Sequence, residues 1–399
     1  MEYYNNFILQ ANQNDFSKLQ NNYFMAYSQN TAIIQSIGTA VPPHKISQKL
    51  HHSILESANG LNRGERLLLR NVYRNSGISS RHSILKEFGN NDEHENKIFH
   101  PSGKSELVAI SKRMELFESF ATDLCADAVK DCMKKCSSTL SEITHLITFS
   151  CTGMSAPGVD IGLIEKLGLN RSIERTCINF MGCYAGINAL RMANYIVSSQ
   201  KNAVVLLAGV EICTIHYQKS MSQDQLIANA IFGDGAAAVI VTSIEKDAVH
   251  ENLGFILDKF YSEFAPSGIH EMAWRIGDYG FDIRLSTYVP DLIRKNIGGL
   301  INKLFEKAEI NQKNIDWYAL HPGGMKILEA CEKALNIPSE ANKYAYDVLK
   351  EFGNMSSVTI FFVLKKYFEK LSAVDTGKKI LSCAFGPGLT MESMILRVG

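Results

Sequence analysis

The sequence predicts an α/β protein in which helices cover both faces of a β-sheet. Two observations support this fold class: apolar runs of strand length alternate with amphipathic helical stretches, and the runs are apolar at consecutive positions. Consecutive apolar residues indicate strands buried on both faces, because a strand with one face in water alternates apolar and polar residues. The length of 399 residues and the 46% apolar content suit one large unit or two fused domains.

Seven apolar runs predict strands, and the segments between them have helical character. The predicted strands are residues 145–151, 175–180, 203–210, 236–243, 317–321, 379–385 and 393–398. One further helix is predicted after Pro290, because apolar residues recur there on one face at a period of 3.6 residues. These residues are Leu292, Ile293, Ile297, Leu300, Ile301, Leu304 and Phe305.

Two short glycine turns suggest that the chain contains two related halves. Residues 232–235 read FGDG and lead into one apolar run, and residues 385–388 read FGPG and lead into the last one. The charged stretch at residues 246–253 separates the halves. The expected organisation is a tail or arm at residues 1–31, an N-terminal half at residues 32–248 and a C-terminal half at residues 249–399.

Charge and cysteine content narrow the classes of partner and compartment. The 41 basic and 41 acidic residues leave no net field to attract nucleic acid or an anionic membrane. The sequence shows no signal-peptide pattern and no run of about 18 apolar residues, so neither export nor a membrane span is expected. The nine scattered cysteines suit a reducing compartment, which predicts a cytoplasmic protein.

Cys183 is the first candidate for chemistry. It lies in the segment MGCYAG, between a predicted strand that ends at Phe180 and a helical stretch. A cysteine at a helix N-terminus is favoured as thiolate by the helix dipole, and flanking glycines let a substrate come close. The alternative is that Cys183 is one more small buried apolar residue.

His321 and Asn354 are the second and third candidates. His321 ends the run WYALH before a Pro-Gly-Gly turn, where an imidazole can pair with a thiolate or donate to an oxyanion. Asn354 lies in GNMSS just before a helical stretch, where it can equally be a helix N-cap. The order Cys, His, Asn also occurs in papain-like hydrolases, so these residues alone leave acyl transfer and amide hydrolysis both open.

The wording of the motifs resembles one family. The segments GCYAG, WYALHPGG, FGNMSS and AFGPGLTMESMILR are similar, almost residue for residue, to motifs of the chalcone synthase-like family, the type III polyketide synthases. The resemblance runs from about Ile33 to the C-terminus. It implies a thiolase-like, duplicated αβαβα fold of five layers and a homodimer. The related ketosynthase III enzymes also use Cys, His and Asn, but NMSS and FGPGLT look like type III synthases.

The resemblance also implies a mechanism and its substrates. Cys183 would take a starter acyl group from acyl-CoA as a thioester, activated as a thiolate by protonated His321 and the helix N-terminus. His321 and Asn354 would donate hydrogen bonds to the malonyl-CoA thioester oxygen and stabilise the enolate formed as carbon dioxide leaves. No cofactor beyond the coenzyme A thioesters, and no metal, is expected.

Further site residues follow from the same resemblance. Phe232 matches a gatekeeping phenylalanine between the coenzyme A tunnel and the cavity, although core packing is its plain alternative. Two groups complete the expected site. The expected coenzyme A contacts are Arg70, Arg74, Gly323 and Lys326, and the C-terminal loop contributes Phe385, Gly386 and Pro387.

Departures from the plant chalcone synthase pattern indicate which starter acyl group the cavity accepts. Ile283 stands where a second gatekeeping phenylalanine is usual, and Ser356 is kept. The remaining departures are small or polar cavity residues: Ala156 in place of a methionine, and Cys213 and His216 in place of threonines. The set Thr152, Ala156 and Cys213 looks like the lining of bacterial alkylpyrone-forming members.

That lining predicts a medium- or long-chain acyl-CoA starter and a pyrone or resorcinol-type product. The alternatives are a malonyl-only synthase that makes phloroglucinol or a naphthalene polyol, and a non-catalytic relative that binds acyl-CoA.

Overall fold

The computed structural model describes residues 30–58, 61–88, 108–245 and 253–399. Of the expected tail at residues 1–31, only Asn30 and Thr31 fall in these ranges, and both belong to the first strand. Most of the expected boundary at residues 246–253 lies outside the described residues.

The described residues form thirteen strands and ten α-helices, which alternate along much of the chain. The strands are β1 (Asn30–Ala40), β2 (His44–Ser47), β3 (Ser80–Ser83), β4 (His145–Ser150), β5 (Glu174–Asn179), β6 (Val204–Ile212), β7 (Asp234–Glu245), β8 (Phe255–Phe264), β9 (Met272–Gly277), β10 (Gly280–Leu285), β11 (Trp317–Leu320), β12 (Lys379–Gly386) and β13 (Thr390–Val398). The helices are α1 (Gln48–Ala58), α2 (Arg63–Arg74), α3 (Ile110–Met133), α4 (Val159–Leu167), α5 (Ala185–Ser199), α6 (Gln223–Ile231), α7 (Val289–Ala308), α8 (Met325–Leu335), α9 (Lys343–Phe352) and α10 (Thr359–Phe368).

All seven strands predicted from apolar runs are confirmed, with ends that differ by a few residues. The predicted helix after Pro290 is α7, which holds this proline in its first turn, where no backbone N–H is needed. Six of its seven predicted apolar residues are buried, and Leu292 is half-buried. Periodicity therefore identified both the element types and the buried faces.

Nine of the described strands form one sheet with the order β11-β12-β13-β8-β1-β7-β6-β4-β5. From β4 to β1 the pairings run parallel, antiparallel, antiparallel, and from β11 to β8 they follow the same sequence. Strands β1 and β8 join the two series at their adjacent edges. The FGDG turn leads into β7 and the FGPG turn into β13, which hold the same position in each series. The two glycine turns are thus structural counterparts.

Helices α5 and α10 lie between the two series of strands. Helix α5 contacts β1, β4, β6 and β7 of one series and β8 and β13 of the other, and α10 contacts β1, β7 and β11. Helix α3 covers the outer face of β1, β6 and β7, while α7 covers β8 and β13. This stacking gives five layers, as expected. Full burial of α5 residues such as Ile187 and Leu190 stabilises the central layer by about 1.5–3 kcal/mol each.

Candidate active site

A cavity of about 370 Å³ opens where the two halves of the chain meet, and Cys183, His321 and Asn354 all line it. Cys183 comes from the end of β5, His321 follows β11, and Asn354 follows α9. The structure therefore brings together the three residues that the motifs predicted, although they are far apart in sequence. Their catalytic roles stay a prediction at this point.

The backbone before Cys183 turns sharply between β5 and α5. Phe180 has φ of +62° and Gly182 has φ of +96°, so both occupy the left-handed region. This turn places Cys183 two residues before the first residue of α5, where the helix N-terminus favours negative charge. Ser356, beside Asn354, is a further non-glycine residue with positive φ, at +49°. Strain of this kind is typical of functional sites.

Three glycines let the loop that carries Cys183 pack closely against the FGPG turn and against the turn that carries Ser357. A Cβ atom on Gly182 would lie 2.2 Å from Cδ of Pro387 in the FGPG turn, and one on Gly386 would lie 2.6 Å from the Tyr184 ring. A Cβ atom on Gly186, in the first turn of α5, would lie 2.6 Å from the carbonyl oxygen of Ser357. Close contact at these positions excludes any side chain on the glycines and fixes the nucleophile loop against the second half of the chain.

His321 is held by its backbone and leaves its ring free for the cavity. Its N–H donates to the Cys383 carbonyl oxygen at 2.8 Å, which extends the pairing of β11 with β12. The side chain is buried, and neither ring nitrogen has a hydrogen-bond partner among the described residues. Burial lowers the pKa of His321 to about 3, so the neutral imidazole is the resting form. A buried ring with two unpaired nitrogens is available to a substrate or to the thiol.

Asn354 has a side chain whose orientation is set by hydrogen bonds. Its Oδ1 accepts from the Ser356 N–H at 2.8 Å and from the Thr359 hydroxyl at 3.3 Å. Its Nδ2 therefore points the other way and donates to the Gly323 carbonyl oxygen at 3.3 Å. The plain N-cap reading is wrong for α10, since that helix begins at Thr359 and its cap is Val358. The Asn354 Oδ1 thus stabilises a tight turn, and the Nδ2 amide group faces the cavity wall.

Burial acts against the thiolate and imidazolium pair that the resemblance implies. It raises the pKa of Cys183 to about 12, and the Ser356 hydroxyl, which accepts from its Sγ at 3.7 Å, offsets only part of that rise. Burial also lowers the pKa of His321, so both shifts favour the neutral forms. The charge state in which the two residues act stays a prediction.

Glu211 is a site residue that the sequence reasoning missed. Its carboxylate is fully buried, accepts from the Cys151 N–H at 3.0 Å and the Thr152 hydroxyl at 2.8 Å, and also accepts from the Ser357 N–H and hydroxyl. Desolvation raises its pKa, although these donors oppose the rise. One carboxylate thus ties the end of β4 to the turn that carries Asn354. A single acidic residue inside the apolar run VVLLAGVEI was the available signal.

Most of the other predicted contacts also line the cavity. The structure places two predicted coenzyme A contacts, Gly323 and Lys326, in its wall. It places there a further set of predicted substrate contacts: Phe232, Ile283, Thr152, Cys213, Ser356, Phe385, Gly386 and Pro387.

Ala156 and His216 do not line this cavity. Ala156 is exposed on the loop after β4, so replacing a methionine by alanine there does not enlarge the space within this chain. His216 is buried behind the cavity wall, where its Nε2 donates to the Thr152 carbonyl oxygen at 2.7 Å and its ring stacks on Phe281 at 3.9 Å. Its Nδ1 accepts from the Phe281 N–H at 3.3 Å. His216 therefore supports Thr152 from behind, and it also lines a smaller chamber of about 30 Å³ that adjoins the cavity.

Arg70 and Arg74 also lie away from the cavity. Both are exposed on α2, and Arg70 pairs with Glu56 at 3.3 Å. The residues of α2 that line the cavity are uncharged, namely Leu68, Asn71 and Val72, and so are Asn75 and Ser76 just after the helix. Contact of Arg70 and Arg74 with the coenzyme A phosphates stays a prediction. The basic side chains in the described lining are Arg284 and Lys326.

Two further properties concern metals and membranes. Among residues 30–58, 61–88, 108–245 and 253–399, no group of three or more acidic, histidine or cysteine side chains is placed to bind a metal ion. In the same ranges, no helix combines the length and the apolar character that crossing a bilayer requires.

Comparison with known proteins identifies the family. Residues 20–244 match the N-terminal domain of the chalcone and stilbene synthases, and residues 257–398 match the C-terminal domain. The chain belongs to this family, the type III polyketide synthases. The synthase is therefore an acyltransferase of the ketosynthase type. Its structure has the expected thiolase-like fold, as the solved relatives do.

Individual relatives show how far the likeness extends. The synthase is 28% identical over 370 residues to the "alpha-pyrone synthesis polyketide synthase-like Pks18" of Mycobacterium tuberculosis. The match covers 92% of this chain and 91% of that protein. It is 32% identical to type III polyketide synthase B of Arabidopsis thaliana, over 72% of this chain and 76% of that one. The solved PKS-I of the brown alga Ectocarpus siliculosus superposes with a TM-score of 0.86 at 27% identity, covering 92% and 98% of the two chains.

One relative is much longer than this chain. "Probable polyketide synthase 1" of Dictyostelium discoideum is 28% identical over 98% of this chain, which spans only 12% of that protein.

We expect Gly182→Ala to lower both stability and the rate at which Cys183 is acylated. The left-handed backbone costs an alanine about 1–2 kcal/mol, and the new Cβ also meets Pro387 at 2.2 Å. Gly168→Ala is the matched control, because its φ is +66° but nothing lies within 4 Å of the added Cβ. Urea denaturation and starter acylation measured by intact mass compare the two. Equal losses in both variants would contradict the role given to the Pro387 contact.

The depressed pKa of His321 predicts a contribution to acid sensitivity. Its pKa is about 3 in the folded protein and near 6.5 when unfolded, so the unfolded chain binds an extra proton between these values. This residue's contribution to stability is present above pH 6.5 and is lost toward pH 3, by at most about 1.4 kcal/mol per pH unit.

Burial raises the pKa of Asp234 to about 6, so the contribution of this residue to stability changes with pH in the opposite direction. A variant of His321 is therefore needed to separate the effect of the histidine. The free energy of unfolding should therefore fall less between pH 7 and pH 5 in His321→Asn than in the unsubstituted protein. The control His270→Asn, at an exposed histidine, should change nothing. Parallel pH dependence in all three proteins would contradict the assignment.

Proposed function

We propose that this synthase extends a medium- or long-chain acyl-CoA with malonyl-CoA and cyclises the product to a pyrone or resorcinol. The observation that carries the proposal is the cavity of about 370 Å³, whose wall holds Cys183, His321 and Asn354 and is otherwise largely apolar. A largely apolar space of this kind suits an acyl chain. The coenzyme A thioesters are substrates, and the proposed reaction needs no other cofactor.

Loading of the starter begins from the neutral Cys183 thiol and the neutral His321 imidazole that burial favours. As the Cys183 Sγ attacks the thioester carbonyl carbon, the unpaired His321 ring takes the thiol proton. The developing thiolate is stabilised by the N-terminus of α5. When the tetrahedral intermediate collapses, the carbon–sulfur bond to coenzyme A breaks and the leaving sulfur recovers the proton from His321. The acyl group is then held on Cys183, and His321 is neutral again.

Extension uses His321 and Asn354 as hydrogen-bond donors. A neutral imidazole retains one N–H, and the Asn354 Nδ2 is turned toward the cavity wall by the bonds that its Oδ1 accepts. Both can donate to the malonyl thioester oxygen, where negative charge collects as carbon dioxide departs. The enolate carbon then attacks the acyl group on Cys183. No general base is required, because the loss of carbon dioxide itself supplies the carbanion.

The entrance supports binding of coenzyme A through two basic side chains. Lys326, at the start of α8, and Arg284, on β10, line the cavity and carry the positive charge that phosphate groups need. Phe232 faces the same space as an apolar wall, which suits a gate between the pantetheine arm and the acyl chain. Arg70 and Arg74, which are exposed on α2, stay proposed as further phosphate contacts.

The starter preference rests on the space beside Cys213. This residue is buried, lines the main cavity, and also lines a smaller chamber of about 30 Å³ that shares Phe232, Trp274 and Ile283 with it. This chamber adds room for about one water-sized group beyond Cys213. The name of the Mycobacterium relative, which mentions α-pyrone synthesis, favours a pyrone product.

We also propose a homodimer, with β5 as part of the contact. β5 is an edge strand of the sheet, and five of its six residues are exposed. An exposed strand edge readily pairs with another chain. The neighbouring loop carries exposed Met154, a large apolar side chain that dimer formation would cover.

A panel of acyl-CoA starters with labelled malonyl-CoA and mass analysis of the products tests the proposal. Products that keep a long acyl chain are expected, whereas products formed from malonyl-CoA alone would point to a malonyl-only synthase. Cys213→Phe should abolish long-chain products and spare short-chain ones, because the ring fills the space past this residue. Val374→Phe, at an exposed position, is the control. Unchanged chain-length preference in Cys213→Phe would overturn the proposed starter class.

Release of carbon dioxide from malonyl-CoA tests the role of Asn354. Asn354→Asp keeps an oxygen for the Ser356 N–H but removes the amide donor, so decarboxylation should fall by about 10²–10³. Acylation of Cys183 by the starter should fall much less, since the proposed donor role of Asn354 belongs to the decarboxylation step. Wild-type decarboxylation in this variant would refute a donor role for the amide.

A further inference from the structure

Three thiols line the catalytic cavity, and the proposed reaction uses only one of them. They belong to Cys151, Cys183 and Cys213, and all three are unpaired in the structure. Cys183 is half-buried, whereas Cys151 and Cys213 are buried in the wall. A second reactive side chain so close to a nucleophile calls for a chemical explanation, because a plain apolar residue would also fill the wall.

Cys151 lies directly against the nucleophile loop. It follows the last residue of β4, and its Sγ accepts from the Gly182 N–H at 2.9 Å. The same Sγ donates to the Gly182 carbonyl oxygen at 3.4 Å. That carbonyl belongs to the peptide group that joins Gly182 to Cys183. The sulfur of Cys151 is therefore one peptide group away from the Cα atom of the nucleophile.

The backbone turn creates this proximity. β4 and β5 run in parallel with Ser150 opposite Asn179, so the two strands end side by side. The positive φ angles at Phe180 and Gly182 then turn the chain back over the end of β4. Cys151 and Cys183 consequently line the same cavity. A disulfide between them requires their Cα atoms to lie about 4.4–6.8 Å apart.

The two sulfurs differ in how they meet an oxidant. Cys183 is the more exposed, stands at a helix N-terminus, and has the unpaired His321 ring in the same cavity as a proton acceptor. Burial raises the pKa of both thiols, so the greater exposure of Cys183 decides which sulfur an oxidant meets first. A peroxide that enters the cavity thus reacts first with Cys183.

We infer that Cys151 is a resolving thiol that captures oxidised Cys183 as a Cys151–Cys183 disulfide. In the first step a hydroperoxide transfers one oxygen to the Cys183 sulfur, which gives the sulfenic acid and an alcohol, or water from hydrogen peroxide. In the second step the Cys151 sulfur attacks the Cys183 sulfur, and the Cys183–OH group leaves with the Cys151 proton as water. One peroxide has then oxidised two thiols to one disulfide. A dithiol reverses the step.

The disulfide would both stop synthesis and protect the nucleophile. Without a resolving thiol, a second peroxide converts the sulfenic acid to sulfinic acid, which dithiols do not reduce. A starter acyl group on Cys183 blocks the first step, because the thioester sulfur is no longer a nucleophilic thiol. Oxidation therefore affects the enzyme that is idle and spares the enzyme that is loaded. The empty cavity is the state that is sensitive to peroxide.

Peptide mass analysis after hydrogen peroxide treatment tests the inference without relying on product formation, so it is independent of the proposed starter. The reduced protein should yield a peptide pair joined through Cys151 and Cys183, two hydrogens lighter than the separate peptides. Dithiothreitol should remove the link and restore the free thiol of Cys183. Acyl-CoA added before the peroxide should prevent the link.

Two variants sharpen the result. Cys151→Ala, and separately Cys151→Ser, should lose the link and accumulate sulfinic acid at Cys183 that dithiothreitol does not reverse. The matched control Cys213→Ala removes the other spare thiol of the cavity and should keep the Cys151–Cys183 link. Sulfinic acid at Cys183 in the unsubstituted protein, with no linked peptide, would overturn the inference. A link from Cys183 to Cys213 would overturn it equally.

Discussion

The buried carboxylate of Glu211 is the interaction on which the site depends. It lies on β6 in the first half of the chain and accepts hydrogen bonds from the end of β4 and from Ser357 in the second half. A buried carboxylate is costly unless such donors satisfy it, so each of these segments is held in place by the need to pair it. The loop that holds Asn354 is thereby fixed relative to the wall of the cavity.

Close backbone packing adds the second constraint. Gly182 meets Pro387, Gly386 meets Tyr184, and Gly186 meets the Ser357 carbonyl group. These contacts place the N-terminus of α5, and with it Cys183, against loops from the second half of the chain. The active site is therefore a property of the interface between the two halves. Neither half alone carries the nucleophile together with both hydrogen-bond donors.

Burial disfavours charge on Cys183 and His321 but leaves the His321 ring available to a substrate. It raises the pKa of Cys183 and lowers the pKa of His321, so both neutral forms are favoured. It also leaves both ring nitrogens of His321 without a hydrogen-bond partner among the described residues. Cys151 lies against the same nucleophile loop, and the hydrogen bond from the Gly182 N–H to its Sγ is the contact on which the inferred disulfide rests.

The sequence by itself determined the α/β class, seven strands, the face of α7, and the three residues that meet in the cavity, because periodicity and short motifs are local properties. It also suggested the correspondence of the two glycine turns. It could not decide which side of α2 borders the cavity, or that Ala156 and His216 do not line it. Glu211 and Cys151 gain their importance only from partners that are distant in the chain. Such contacts are set by tertiary packing, which no local pattern records.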